Sequence, residues 1–172
     1  LAELGLSPRT QDTQNDVQRR AILLHAVARL GRDEAALAQA TTLAEAERTD
    51  PRAVDPNLVG VVLGISAMLG DDARYTTWLD TYRARKASGQ PPQVSMRYLY
   101  TLAEFKPEAL VARTLSLLDD GTVPQEAVGP VLGQVFGSRH GRYAAWAYVQ
   151  RTWDALRVRV GDMGLSRVVE AV

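Results

Sequence analysis

The chain of 172 residues contains no cysteine, and its 20 basic side chains balance 20 acidic ones. A chain without cysteine has no disulfide framework, no thiolate metal site and no catalytic cysteine, and a net charge of zero creates no positive field for nucleic-acid phosphates. The longest segment without a charged residue, 57–70, is too short for the ~20 apolar residues of a membrane-spanning helix, so we expect a soluble domain without nucleic-acid or membrane partners.

Apolar residues three and four positions apart predict four helices in the first half of the chain. The first begins near Val17, and the second runs from about Asp33 to Arg48. Two Asp-Pro pairs in the segment 49–57 then oppose helix continuation. Pro56 suits the first turn of a third helix, because the amide proton that it lacks has no partner there. A fourth helix, rich in aromatic residues, follows Gly70.

Two similar corners separate these helices. The sequence ARLGRDEA covers residues 28–35, and AMLGDDAR covers residues 67–74. A glycine after an apolar helical run is typical of a left-handed helix end, and an acidic residue just beyond it suits the start of the next helix. We therefore predict left-handed conformations at Gly31 and Gly70 and a helical hairpin around each.

The second half of the chain continues the helical pattern. The fifth predicted helix runs from about Pro92 to Phe105, Pro107 and Pro124 open the sixth and seventh, and the eighth follows Gly141. Helix pairs begin about 33 to 35 residues apart, a spacing typical of helical solenoids. The predicted fold is all-α, a HEAT- or armadillo-like superhelix of antiparallel hairpins with about eight or nine helices, in a single domain over residues 1–172 that is a piece of a longer protein.

Two patterns predict close packing between helices. In the eighth helix an apolar seam steps by three and four residues and carries two indoles, which favours a place in the core. The seam consists of Trp146, Val149, Trp153, Leu156 and Val160. Glycines at four-residue steps form small ridges that let helices approach closely. They are Gly60 and Gly64 in the third helix, and Gly129, Gly133 and Gly137 in the seventh.

No catalytic constellation emerges from the sequence. A metallopeptidase zinc site of the His-Glu-x-x-His type needs two histidines one helical turn apart, whereas His25 and His140 are the only histidines and lie far apart. The acidic pairs at 71–72 and 119–120 could form a carboxylate dyad. Each pair adjoins a glycine at a predicted helix end, so helix capping and solvation is the favoured interpretation. We therefore assign no catalytic, cofactor-binding or metal-binding residue to this chain.

Several segments, in order, resemble the C-terminal helical domain of gluzincin zinc aminopeptidases, the group that includes puromycin-sensitive and endoplasmic-reticulum aminopeptidases. They are RRAILLHAVARLGRDEAALAQA, VDPNLVGVVLGISAMLGDDARYTTWLDTYR, MRYLYTLAEFKPEALVARTLSLLDDGTV and GRYAAWAYVQRTWDALRVRVGDMGLSRVVEAV. The similarity extends over nearly all of the chain from Asp16 onward. Many relatives have the motif Arg-x-Gln-Asp near the start of the seventh predicted helix. This chain reads Thr122 to Glu126 there and lacks the arginine, so we name no site in this segment.

The resemblance implies a non-catalytic domain that caps the active-site chamber and contacts the far end of the peptide substrate. Zinc is implied for the parent enzyme and held by its upstream domains, which are the implied partners together with the peptide. Arg97 lies in the fifth predicted helix, and it matches an arginine that the family often has at the start of that helix. The resemblance therefore implies Arg97 as a possible peptide contact.

Two other functions remain open from the residues alone. One is a HEAT-like protein-interaction scaffold without peptidase activity, because helical periodicity does not say what binds a solenoid face. The other, an independent enzyme, would need a catalytic constellation that the sequence does not show. A His-Glu-x-x-His motif upstream in the same gene would favour the peptidase. We expect a cytoplasmic location, with export an alternative if the parent carries a signal peptide.

Overall fold

The computed structural model describes residues 5–6 and 9–170, with side chains described as far as residue 161. In this part of the chain the regular elements are helices, without a strand, which confirms the all-α prediction. The bounds are α1 Gln14–His25, α2 Glu34–Thr49, α3 Pro56–Met68, α4 Asp72–Ala87, α5 Pro92–Thr101, α6 Glu108–Ser116, α7 Gln125–Gly137 and α8 Arg142–Glu170. A π-helical segment, Ala26–Leu30, continues α1, and a 3₁₀ segment, Leu102–Glu104, continues α5.

The helices form two compact units, Leu1–Leu69 and Gly70–Val172. In the first unit α3 packs against both α1 and α2. Its core is aliphatic, with Leu24, Leu58, Leu63 and Ile65 fully or almost fully buried. Since α3 lacks charged residues and buries most of its surface, it is the central helix of this unit.

A buried arginine fastens the N-terminal segment to the first unit. Arg20, on α1, has no exposed surface. Its Nε donates a hydrogen bond to the Gly5 carbonyl at 3.0 Å, and its Nη2 donates to Asp12 Oδ2 at 2.7 Å. The backbone N–H of Arg9 and the Arg20 guanidinium both lower the pKa of Asp12. Asp12 therefore stays ionised beside the buried cation.

The second unit is organised around aromatic side chains of α4. Tyr75, Trp78 and Tyr82 are fully buried. Trp78 meets Tyr98 of α5 edge to face with ring centroids 5.6 Å apart, and Tyr75 meets Phe105 in the same way at 5.1 Å. Edge-to-face pairs of this kind add stabilisation beyond the apolar area that they bury. Beyond the α4–α5 pair, α7 packs against α5 and α8, and α6 packs against α8.

The two corner glycines differ from the prediction. Gly31 has a φ of −74°, and Gly70 is not among the residues with positive φ, so neither is left-handed. Glycine is needed at both positions for another reason, because a Cβ atom would not fit there. A Cβ added to Gly31 would lie 2.7 Å from the Val27 carbonyl oxygen, and one added to Gly70 would lie 2.6 Å from Phe105 Cε1.

The structure confirms the prediction that an acidic residue begins the helix that follows each of these two glycines. The side chain of Asp33 accepts a hydrogen bond from the Ala36 N–H at 2.8 Å at the start of α2. The side chain of Asp71 accepts one from the Arg74 N–H at 3.0 Å at the start of α4. Both are N-caps that satisfy amide groups left unpaired by the first helical turn.

Three of the five ridge glycines, Gly60, Gly129 and Gly137, do not serve the close packing that was predicted for them. A Cβ added to Gly60, Gly129 or Gly137 would meet no described atom within 4 Å. Gly129 has a different local reason, because it precedes Pro130 inside α7 and a Cβ there would be crowded by the proline ring. Gly141, outside the ridges, is another glycine with a close neighbour, since an added Cβ would lie 2.7 Å from the Val135 carbonyl oxygen.

These environments predict opposite effects for two alanine substitutions. Gly60→Ala should raise the free energy of unfolding by about 0.5–1 kcal/mol, because alanine is the better helix former and its methyl group meets open space. Gly141→Ala should lower it by about 1–3 kcal/mol, because backbone must move to make room. Urea unfolding followed by circular dichroism measures both. Stabilisation by Gly141→Ala would contradict the close approach of α8 to α7.

Candidate functional site

The described residues show no cluster suited to catalysis by a bound metal. Among residues 5–6 and 9–161, no group of three or more His, Asp or Glu side chains comes together in a way that could hold a metal ion. His25 and His140 are both exposed, the first at the end of α1 and the second between α7 and α8. No helix in the described range is both long enough and apolar enough to cross a membrane.

The carboxylates of the two acidic pairs, 71–72 and 119–120, form hydrogen bonds or an ion pair with other residues of the domain. Asp71 caps α4, and Asp72 lies 3.4 Å from the Arg113 guanidinium. Asp119 accepts a hydrogen bond from the Tyr148 hydroxyl at 2.6 Å, and Asp120 accepts one from the Thr122 N–H at 2.8 Å. The pairs therefore act as caps, turn formers and anchors, which supports the structural interpretation over a carboxylate dyad.

Arg97 lies on α5 and is half-buried. Its Nε donates a hydrogen bond to the Gln93 carbonyl at 3.2 Å, one turn earlier on the same helix. The Thr101 hydroxyl donates to the Arg97 carbonyl at 2.6 Å, one turn later. The side chain is thus oriented along α5 by its own helix, and its role as a peptide contact stays a prediction.

The segment that departs from the Arg-x-Gln-Asp pattern contains a link between two helices. Gln125 opens α7, and its Nε2 donates a hydrogen bond to the Arg159 carbonyl of α8 at 2.6 Å. Glu126, the next residue, is exposed in the first turn of α7. The geometry gives Gln125 a structural role in joining α7 to α8.

Two polar side chains of α8 fix this helix against the connection between α6 and α7. The Tyr148 hydroxyl donates a hydrogen bond to Asp119 at 2.6 Å, and burial, followed by this hydrogen bond and by the Asp119 charge, raises the pKa of Tyr148. Tyr148 therefore stays a neutral hydrogen-bond donor. The Arg159 guanidinium donates to the Leu118 carbonyl through Nη1 and to the Val123 carbonyl through Nη2, the latter at 2.8 Å. Together these contacts set the rotation of α8 about its own axis.

The predicted apolar seam of α8 divides into a buried and an exposed part. Val149 and Leu156 are 1% and 3% exposed, as predicted. Trp146 and Trp153 are each 41% exposed, so the prediction that both indoles belong to the core is wrong. The seam is wider than the surface of α8 that packs against α6 and α7. Its two indoles lie at the edge of this packed surface and not at its centre.

Tyr143, 83% exposed, continues the exposed part of the seam toward the start of α8. Trp146 follows it by three residues and Trp153 follows Trp146 by seven, so the three rings lie along one side of the helix. We call Tyr143, Trp146 and Trp153 the aromatic row. Tyrosine and tryptophan are the residue types enriched in the energetic centres of protein interfaces. The aromatic row is therefore the strongest candidate interaction surface that the described residues offer.

The break at Gly161 limits the aromatic row toward the end of α8. Gly161 has a φ of 70° and a ψ of 172°, a conformation that interrupts the helix. This combination is essentially restricted to glycine. The straight part of α8 thus carries both the anchors and the aromatic row.

Comparisons with known proteins agree with the resemblance seen in the sequence. A family model described as "ERAP1-like C-terminal domain" matches residues 1–172. Glutamyl aminopeptidase of Rattus norvegicus is 28% identical over 165 residues, which cover 92% of this chain and 17% of that protein. Glutamyl aminopeptidase of Mus musculus is 27% identical over 165 residues with the same coverage. The chain thus spans about a sixth of the length of these curated relatives.

The two classes of tryptophan predict different costs of truncation. Trp78→Ala should lower the free energy of unfolding by about 3–5 kcal/mol, because it empties a fully buried site. Trp153→Ala should cost about 1–2 kcal/mol, because much of the indole is already in water. Urea unfolding of the two variants beside the parent sequence gives the comparison. Equal losses would show that Trp153 is as buried in solution as Trp78.

Proposed function

The chain belongs to the family of ERAP1-like C-terminal domains, and from this membership we propose that it is the non-catalytic C-terminal domain of a zinc-dependent aminopeptidase. In this proposal the domain caps the chamber that holds the active site and shapes the access of peptides to it. The observation that carries the proposal is the family match over the whole chain. The curated relatives, named as glutamyl aminopeptidases, support the peptidase context.

The residues whose side chains the structure describes do not fit a zinc site. The two histidines are exposed on separate segments, and the acidic pairs are engaged as caps and anchors. In the proposed parent enzyme the metal is therefore held by other domains, and we assign no step of the reaction to this chain. The upstream domains of the same polypeptide are its proposed partners.

A domain remote from the reacting atoms can still change catalysis. Contacts with distant parts of a substrate supply binding energy that orients the reacting centre, so their loss lowers the rate for long substrates. The far end of a peptide carries a carboxylate, and arginine is the side chain best suited to pair with a carboxylate. Arg97, half-buried and held along α5, is the residue that we propose for such a contact.

Removal of the domain from the parent enzyme tests the proposal. We expect kcat/KM to fall more for peptides than for an aminoacyl amide of one residue, because only peptides reach the domain. The measurement is kcat/KM over a peptide length series and for the amide, with and without residues 1–172. Equal losses for all substrates would contradict the chamber role, and unchanged kinetics would favour the scaffold alternative.

A point substitution avoids the risk that deletion disturbs the rest of the enzyme. Arg97→Ala in the full-length parent should raise KM for peptides several-fold and leave the amide unchanged. Arg83→Ala is the matched control, because Arg83 is an exposed arginine whose guanidinium lies 3.5 Å from Asp80 on its own helix α4. Indistinguishable effects of the two substitutions on peptides would exclude Arg97 as the contact.

A further inference from the structure

No side chain between residues 9 and 19 is buried, although every residue of this range is described. Arg20, the next residue, is the first one of α1 that has no exposed surface. Inside the range, Thr13 and Asp16 form a capping box at the start of α1. This capping box is a local contact, so it shapes the range without attaching it to the rest of the first unit. We call residues 9–19 the N-terminal stretch.

One carboxylate oxygen attaches the N-terminal stretch to the buried arginine. Asp12 Oδ2 accepts a hydrogen bond from the Arg9 N–H at 2.6 Å and another from Arg20 Nη2 at 2.7 Å. Arg20 Nε donates to the Gly5 carbonyl at 3.0 Å. We call Gly5, Asp12 and Arg20 the clamp. The clamp therefore closes the turn at 9–12 and fixes this turn to α1 at the same time.

Burial separates the clamp from the ion pairs of the surface. The side chains of Arg20 and Asp12 are 0% and 8% exposed, whereas those of the Arg48–Glu45 pair are 39% and 41% exposed. Water and salt screen an exposed pair, which contributes little to stability. Removal of one partner from a buried pair leaves a charge without compensation, which is strongly unfavourable. The clamp is therefore the strong contact of a stretch that buries no side chain of its own.

We propose that the clamp is a conformational latch, which holds the N-terminal stretch closed against the first unit and lets it open as one piece when the Asp12–Arg20 contact breaks. Segments with few buried apolar contacts open at a lower free energy than the core. The aliphatic core of this unit lies beyond the stretch, at Leu24 of α1 and at Leu58 and Leu63 of α3. Opening therefore leaves the packing of α2 on α3 in place.

The two states of the latch differ in how far the chain can reach. In the closed state the turn at 9–12 is fixed to α1 by the clamp. In the open state the eleven residues 9–19 can extend over as much as about 36–40 Å. In the proposed parent enzyme the upstream domains precede this stretch, so the latch sets whether they are joined to this domain rigidly or by a flexible tether. This consequence rests on the proposed function, and the latch itself does not.

Hydrogen exchange of the full-length parent protein, measured by mass spectrometry, tests the latch. Asp12→Asn should accelerate exchange of amides 10–19 by about tenfold or more and change that of α3 by less than about twofold, because only the stretch opens. Asp50→Asn is the matched control. Asp50 Oδ1 also accepts from a backbone N–H and from an arginine, those of Arg52 at 3.0 and 3.4 Å, but both side chains are at least half exposed. The control should leave amides 10–19 unchanged.

Two results would overturn the latch. Equal acceleration in α3 would make the clamp part of the cooperative core, and unchanged exchange of amides 10–19 would show that Asp12 does not hold the stretch. If the charge left by Asp12→Asn prevents folding, Asp12→Asn combined with Arg20→Met removes that charge as well, and the same exchange pattern is expected. Hydrogen exchange does not depend on peptidase activity, so failure of the latch and failure of the proposed function are distinguishable.

Discussion

The packing of α4 on α5 through their aromatic side chains is the contact on which the second unit depends. Trp78 and Tyr98 meet edge to face, and the Arg85 guanidinium lies 4.7 Å from the centre of the Tyr98 ring. The tyrosine hydroxyl groups extend this contact to other elements. Tyr75 shares a hydrogen bond of 3.0 Å with Thr114 of α6, and the Tyr82 hydroxyl donates to the Thr122 carbonyl at 3.0 Å. One helix thus positions α5, α6 and the connection that follows α6.

That connection in turn positions α8. The same stretch that receives Tyr82 from one side presents Asp119 and the Leu118 and Val123 carbonyls to α8 on the other. Burial, the hydrogen bond to Asp119 and the charge of that carboxylate raise the pKa of Tyr148, so its hydroxyl remains a hydrogen-bond donor in mildly alkaline solution as well. The orientation of the aromatic row therefore follows from the α4 core through a chain of side-chain contacts.

Local signals explain why much of the fold was predictable and the surface was not. Helices begin at Pro56 and Pro92 as predicted, because a proline acts on its own turn whatever surrounds it. The turn at Gly70 was placed correctly for the wrong reason, since the crowding ring belongs to Phe105, a residue distant in sequence that follows the 3₁₀ segment after α5. The exposure of Trp153 could not be predicted from periodicity, because periodicity identifies the apolar face of a helix but not which element packs against that face. Arg97 was named through family resemblance, and its hydrogen bond to Gln93 gives it an orientation without testing that role.

The central proposal is that this domain contacts the part of a peptide substrate that is remote from the zinc site proposed for the parent enzyme. Its proposed contribution is a rigid helical surface, because the side chains on it are held by the core and by their own helices. The most direct test is photo-affinity labelling of the full-length parent with a peptide that carries a photoreactive residue next to its C-terminus. The account predicts labelling within residues 1–172, concentrated on α5 around Arg97 and abolished by excess unlabelled peptide. Labelling confined to other domains, with this one unmodified at saturating peptide, would contradict it.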